Sequence, residues 1–456
     1  MGSITSALFS AANSLTVLGN AFDVIENNIS NANTPGFARQ DVNLQPLPFD
    51  PDQGLSGGVS SGPLINSRAE YLDQAVRTQQ QLLGSAQQQA GDLAQIQSLF
   101  PLSSTAGVAT DLNNFFNSFS QLSVNPNDEP SRQAVISSAN TLAQDIQSTA
   151  TGIQQVSSNI TTQTGSVISQ INQLASQIAS INQQYDSSPS AGQDSGLDAQ
   201  MHSDLENLSQ LVNFTLIPTG KRTYNVALGG QTMLVIGDQA QQISADNTGG
   251  STAILDSQGN DITSQVTQGQ LGALIGEQNT TLPGYMTSLN TFAQSLADTV
   301  NSQLGQGIDE NNQPGAALFS YDTASDAAST IAVTNITADQ IAAAATGSPG
   351  GNDNAVALAQ LANQPAADGY TFTQYYGNLA SQVGSDVAQA NQSVTLAQSQ
   401  LSQAQSEDTA ASGVDLNEEA IQLMQYQQAY TAASKMVGVL QGLTETIIDA
   451  VQPATS

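Results

Sequence analysis

Residues 135–160 read VISSANTLAQDIQSTATGIQQVSSNI, and residues 167–185 read VISQINQLASQIASINQQY. In the first stretch Val135, Ala139, Leu142, Ile146, Thr149, Ile153, Val156 and Ile160 alternate steps of four and three, which places them along one stripe of a helix. Val167, Ile171, Leu174, Ile178, Ile181 and Tyr185 resume the rhythm after a double step of four near Thr164, a stutter that locally unwinds a supercoil. A continuous helix over this span is on the order of 80 Å long. Gly152 and Gly165 each weaken it by roughly 1 kcal/mol. A compact enzyme rarely needs such a rod, whereas an axial assembly does.

The two ends carry matching stripes. Ile4, Leu8, Ala11, Leu15, Leu18, Phe22, Ile25 and Ile29 form a heptad seam, and Asn33-Thr34-Pro35-Gly36 stops that helix. Leu423, Tyr426, Tyr430, Ala433, Val437, Leu440, Thr444, Ile447 and Val451 form the mirror seam at the other end. A lone helix cannot bury such a stripe. The pattern leaves two solutions open: an ordinary bundle within one chain, or self-assembly with neighbouring subunits.

Between these ends the spacing predicts helices over about 69–100, with Pro101 ending the first, then 271–304, 354–363 and 372–405. Residues 41–67 read as irregular, with Pro46, Pro48, Pro51 and Pro63 among glycines. Residues 211–265 read as β-rich: Phe214–Ile217, Tyr224–Leu228 and Met233–Ile236 are strand runs, Gly229-Gly230 is a hairpin signal, and Gly237-Asp238 and Gly259-Asn260 mark turns. The expected fold class is mainly α with a β-rich central domain. The architecture is a discontinuous multi-domain rod whose N- and C-terminal helices pair in a coiled-coil-like core. The expected domains are 1–60 with 406–456 for assembly, 61–190 with 266–405 for the long-helix rod, and 191–265 for a β-rich outer domain.

Composition narrows the function. The 456 residues exceed one compact core. Cysteine and tryptophan are absent and aromatics make up 5%, so disulfides are excluded and aromatic-anchored cores are not expected. Only 7 Lys and Arg stand against 38 Asp and Glu, a net charge of -31, which argues against nucleic acid and anionic membranes as partners. The sequence pI near 4.1 would also suit an acidic habitat. Met1 to Asn20 carry no basic residue and no apolar core run, and nothing in the reading approaches the roughly 18 apolar residues of a membrane span. The expectation is therefore a cytoplasmic chain, or one exported without a cleaved signal.

A search for chemistry returns little. Gly58-Val59-Ser60-Ser61-Gly62 matches a nucleophile elbow in pattern, but it reads as a loop, and the one histidine, His202, falls in a predicted helix. Gly220-Lys221 lacks the rest of a phosphate loop. Asp309-Glu310-Asn311-Asn312-Gln313 lacks the glycine and glutamate of a calcium loop, Pro314 and Ser320 standing in their places, and reads as a solvated turn. No catalytic residue, cofactor or metal ligand is assigned.

Asn27-Asn28-Ile29-Ser30-Asn31-Ala32-Asn33-Thr34-Pro35-Gly36-Phe37, followed by Arg39, resembles the N-terminal signature of flagellar rod, hook and hook-associated proteins. Gly413-Val414-Asp415-Leu416-Asn417-Glu418-Glu419-Ala420, then Leu423 and Tyr426-Gln427-Gln428-Ala429-Tyr430, resembles the end of the family of first hook-associated proteins, the junction subunits nearest the hook. Arg132-Gln133-Ala134-Val135, Gly269–Leu274, Val300–Gly307, Gly315–Phe319 and Asn354–Leu361 extend the resemblance over most of the chain. Leu304, Gln278 and His202 stand where the family commonly has basic or histidine residues, which counts against an interdomain salt bridge. The centre is short, which implies a reduced or absent outer domain.

The resemblance implies a structural subunit at the hook–filament junction, not an enzyme, outside the cell on the bacterial flagellum. It implies export without a cleaved signal peptide through the flagellar type III apparatus. Expected partners are copies of itself, the hook protein, the next junction protein (hook-associated protein 3) and an export chaperone on the C-terminal helix. Expected interface residues are Leu8, Leu15, Leu18, Phe22, Ile25, Ile29, Asn33, Pro35, Gly36 and Phe37 at one end. Leu423, Tyr426, Tyr430, Val437, Leu440 and Ile447 are those at the other. The alternatives are a flagellar hook or rod subunit and, more distantly, an extracellular adhesin or hydrolase with axial-type ends.

Overall fold

The computed structural model describes residues 2–50, 55–101, 107–188, 194–220, 222–323, 326–365 and 367–451. Pro51 and Lys221, singled out from the sequence, lie outside the described residues, as does the side chain of Val451. The fold is mainly helical, with long helices at both ends and a few small sheets. α1 spans Gly2–Asn31. β1 (Gln40–Pro46) and β4 (Val59–Asn66) form an antiparallel pair extended by the two-residue strands β2 (Phe49–Asp50) and β3 (Leu55–Ser56). The 41–67 segment, expected to be irregular, is thus a hairpin. Its prolines are tolerated because it is a two-stranded ribbon with free edges, and α1 supports it: Ser10 Oγ donates to Gly57 O at 2.7 Å and Asn13 Nδ2 to Val59 O at 2.8 Å.

α2 (Glu70–Gln97), α3 (Val108–Val124) and α4 (Glu129–Ser187) follow. α4 is one uninterrupted helix of 59 residues, about 88 Å at 1.5 Å per residue. Asp128 caps it by accepting from Ser131 N, and Pro130 occupies the first turn, where a missing N–H costs nothing. Its stripe is buried from Val135 to Tyr185, and Thr164, at the stutter, is fully enclosed with its hydroxyl donating to Ile160 O at 2.9 Å.

α5 (Ser195–Leu211) packs on α2. β5 (Phe214–Pro218), β6 (Tyr224–Leu228), β7 (Thr232–Ile236) and β8 (Gln239–Ala240) form a four-stranded antiparallel meander against α4. Gly229 and Gly230, at φ 55° and 75°, turn β6 into β7. β9 (Ser244–Asp246) pairs with β10 (Ala253–Leu255). α6 (Gly269–Gly276) runs into α7 (Leu282–Gly305) through a π turn at Glu277–Thr281. Pro283 explains the widening, because it supplies no N–H and crowds the carbonyl four residues back. Four two-residue strands, β11 (Gly307–Ile308), β12 (Phe319–Ser320), β13 (Ala332–Val333) and β14 (Ala344–Ala345), and the short α8 (Ala327–Thr330) precede α9 (Asp353–Gln360). α10 (Phe372–Ser412), opened by a Thr371/Gln374 capping box, returns along α2, and α11 (Leu416–Val451) lies along α1.

Two expectations are corrected here. α3 was not anticipated, and an aromatic core was not expected. Phe115 of α3 lies 5.2 Å from Phe119 and 5.6 Å from Phe319, Phe116 stacks on Phe372 at 5.9 Å, and Phe292 meets Tyr376 at 5.7 Å. The few aromatics are concentrated where α3, α7 and α10 converge, so a low average hides a local anchor. Ile4–Asn31 is also long and apolar enough, by length and composition alone, to cross a membrane, contrary to the first reading. In this fold it packs along α11 and against the β1–β4 hairpin.

Phe115, fully buried among three rings, sets a test of the aromatic anchor. Phe115→Ala should cost about 3–5 kcal/mol, read as a lowered urea midpoint for rod unfolding. A loss below about 1 kcal/mol would show that the anchor is dispensable.

Candidate functional site

The terminal unit meets the rod at one polar joint. After α1 the chain turns, Thr34 N–H donating to Asn31 O at 2.9 Å and Phe37 N–H to Thr34 O at 3.1 Å. Asn33 and Pro35 are exposed on the turn, while Gly36 and Phe37 are half-buried. Gly36 sits at φ 72°, and a Cβ there would collide with Ala199 O and lie 2.8 Å from Ser203 N of α5. Its carbonyl accepts from Arg68 Nη2 at 2.6 Å. Arg68 also binds Asp198 on α5 at 3.0 Å and reaches Asp73 on α2 at 3.4 Å. One guanidinium therefore joins three segments: the turn after α1, α2 and α5.

Burial works against the Arg68 charge, but Asp198 and Asp73 outweigh it and raise its pKa overall. Burial pushes Asp73 up to about 6 despite Arg68 and Arg77. His202 is 3% exposed, with Nδ1 3.4 Å from Asp73 Oδ2 and without a hydrogen bond there. Burial first, then the Arg68, Arg77 and Arg222 charges, hold its pKa well below the usual value, so the ring is neutral. Potential ligand atoms of Glu70, Asp73 and His202 lie within 4.8 Å of one another. Arg77 holds Glu70 at 2.6 Å and Arg68 holds Asp73, so two guanidiniums already compensate these carboxylates.

A second lock ties both termini together. Asn28, 1% exposed, donates to Gln40 O at 2.9 Å and accepts from Gln40 N at 3.0 Å. It also donates to Glu419 Oε1 at 3.2 Å across 391 residues of chain. Arg39 bridges Asp41 at 3.1 Å and Glu418 at 2.9 Å, and its N–H donates to Ser412 O at 2.9 Å. Sequence reading quoted Asn28, Arg39, Glu418 and Glu419 within the two terminal signatures but did not count them among the interface residues.

The helix pair has an uneven seam. On α1, Leu18 and Ile25 are buried, Leu8, Leu15 and Phe22 half-buried, and Ile29 is 40% exposed. On α11, Leu423, Tyr426, Val437, Leu440 and Ile447 are half-buried and Tyr430 is 41% exposed. Tyr430 packs on Phe22 of its own chain, ring centroids 5.8 Å apart. A groove of about 600 Å³ remains open between Phe22, Ile25, Ile29, Leu423 and Tyr430. Two features went unread. Val17, Ala21 and Val24 form a second buried face on α1 beside the seam, and α11 carries an exposed outer set, Ile421, Met424, Met436, Val439 and Leu443. Both follow helical spacing and could have been found by scanning every face.

Ser60 lies in strand β4, not a loop, with its hydroxyl donating to Gln45 O at 3.3 Å. Asp309 accepts from Asn311 N and Gln313 N, both at 2.8 Å, as a turn does.

The joint predicts the effect of filling Gly36. Gly36→Ala should lower the free energy of local opening by about 2 kcal/mol, giving roughly thirtyfold faster amide exchange over the turn after α1, while the rod midpoint holds. Unchanged exchange would remove the joint from this account.

A family model described as the flagellar hook-associated protein FlgK helical domain matches residues 93–319, and one described as the flagellar basal body rod FlgEFG protein C-terminal matches 409–450. Flagellar hook-associated protein 1 of Bacillus subtilis strain 168 is 25% identical over 506 residues, covering 98% of this chain and 99% of that protein. The Escherichia coli K12 protein of the same name is 23% identical over 332 residues, 69% of this chain and 60% of its own length. The solved flagellar hook junction protein FlgK from Burkholderia pseudomallei shares the fold, with a TM-score of 0.68 at 17% identity over 75% of this chain and all of that one. With the terminal signature, the long-helix rod and both ends matched together, the chain belongs to the flagellar hook-associated protein 1 family, a structural component of the bacterial flagellum at the hook–filament junction.

Proposed function

We propose that this chain joins hook to filament by lending its α1–α11 pair to neighbouring subunits, as a scaffold without catalysis. The observation that carries this reading is the outer face of α11, where Met424, Met436, Val439 and Leu443 are 48–62% exposed on a helix whose inner face already packs on α1. A helix apolar on both faces is one meant to be covered on both. Head-to-tail contacts of such helices generate rings or helical arrays. The proposed neighbours are copies of this chain, the hook protein below and hook-associated protein 3 above. Before assembly, an export chaperone would shield α11. The proposed interface comprises the open groove at Ile29 and Tyr430 together with the outer stripe, and Asn33, Pro35, Gly36 and Phe37 serve the joint that orients it. The Phe22–Tyr430 contact supports a second role for the seam within one subunit, and the two roles coexist on different faces.

Deleting the gene and imaging the cells tests the assignment: hooks without filaments, with unpolymerised flagellin in the medium, are expected, and missing hooks would overturn it. The stripe is tested in that background with Val439→Asp combined with Leu443→Asp. Both side chains are exposed in the monomer, so its melting should change by less than about 0.5 kcal/mol, while filaments fail to return. Normal filaments from this variant would exclude the outer stripe as an interface.

A further inference from the structure

Glu277 lies in the π turn between α6 and α7 and is 2% exposed. Among the described residues, no donor group reaches either of its carboxyl oxygens. What faces it is Asp92 of α2, itself 3% exposed, whose carboxylate accepts from Gln88 Nε2 at 2.6 Å and Gln95 Nε2 at 3.4 Å. Two acceptors can hydrogen-bond only through a proton. Beside these two carboxyls, Gln278 is bonded to Ser157 of α4, and Gln88 to Gln163 of α4. On α7, Tyr285 senses the Glu277 carboxyl and is itself bonded to Asp386 of α10 at 2.6 Å. The described arginines pair elsewhere: Arg39, Arg68, Arg77, Arg132 and Arg222 meet Glu418, Asp198, Glu70, Glu310 and Asp198.

We infer that Glu277 and Asp92 share one proton across the α2–π-turn contact, and that folding of the rod takes up this proton and is weakened when alkali removes it. A buried acid needs a counter-charge, and in a chain with 38 acids and 7 bases the available one is a proton. Burial first, then Asp92, pushes Glu277 up to about 10. The sign follows from linkage. The folded value lies above the unfolded one, so the stabilisation is complete below the ordinary glutamate range and declines as pH rises toward 10. Asp111 repeats the device at the α3–α4 contact. Burial, then Asp145, raises it to about 6, and Tyr376 of α10 senses the same Asp145. Asp73 and Asp204 are likewise raised to about 6, and His202 is held well below its usual range, so between pH 7 and 8.5 the proton on Glu277 dominates the pH dependence.

The test is urea unfolding of the full chain at several pH values in that window. The folding constant should fall about tenfold per pH unit, the signature of one proton. Glu277→Gln, which offers Asp92 an amide N–H in place of the shared proton, should flatten the dependence. The protonated-carboxyl infrared band of the wild type at pH 7.5 should vanish in this variant. Should Glu277→Gln not fold, proton uptake during wild-type refolding at pH 7.5, followed with an indicator dye, should give about one proton per chain. A flat wild-type profile, no uptake, or alkaline stability restored by millimolar calcium or magnesium would each overturn the inference, the last by putting a cation in the proton's place.

Discussion

One helix carries the rod. α4 presents a buried stripe along its whole length, and α3, α5, α6, α7 and strands β7 and β8 are laid against it in turn. A stripe of that length cannot be covered by a single antiparallel neighbour of ordinary size, so the chain returns to it repeatedly, and the core is accordingly one continuous cluster from Leu93 to Ala390. Before the stutter at Thr164, Ser138 bonds to Ser118 of α3, and after it Asn172 and Asn182 bond to Ile243 and to Tyr224 of β6. Below this core the contact narrows to α2 and α10, where Val76, Leu83, Ala397 and Leu401 form a small separate cluster. The terminal unit is therefore held by that neck and by the Arg68 joint.

Scarcity of positive charge explains where the arginines sit. Arg68 links the turn after α1 to α2 and α5, and Arg39 links β1 to the start of α11. Arg132 links the start of α4 to Glu310 and to the carbonyl of Ala338. Each spans segments remote in sequence, and each is planar with several donors, so one residue satisfies acceptors from different elements at once. The acids left over rely on backbone N–H groups, as Asp256 does, on amide side chains, or on one another.

Legibility in the sequence followed the range of the interaction. α1, α4 and α11 were readable because their stripes repeat over many turns, and the β6–β7 hairpin because Gly229-Gly230 marks it locally. α3 was just as regular, with Leu112, Phe115, Phe116, Phe119 and Leu122 spaced for one face, but an average aromatic content hid a local concentration. The hairpin of β1 and β4 depends on pairing Gln40 with Asn66, which no local signal announces among prolines. The joint was least legible of all. Asn28 reads as turn chemistry until Gln40 and Glu419 are brought beside it, and no local pattern marks Arg68 before Asp198 arrives from 130 residues away.

The same reasoning explains why α11 differs from the long helices of the rod. α2, α4, α7 and α10 separate an apolar side from a polar one, because water covers the second side permanently. On α11 the inner residues Leu423, Val437 and Leu440 and the outer residues Met424, Val439 and Leu443 divide the circumference between them, and charge is confined to a few positions such as Glu418, Lys435 and Glu445. Such a helix gains little from folding against α1 alone, since half its apolar surface stays wet. Its stability rises when a second surface removes that half from water, at roughly 25 cal/mol for each Å² covered. Under the proposed assembly, folding of the terminal pair would be coupled to its neighbours through this one helix, whereas the α4 stripe is already covered by its own chain.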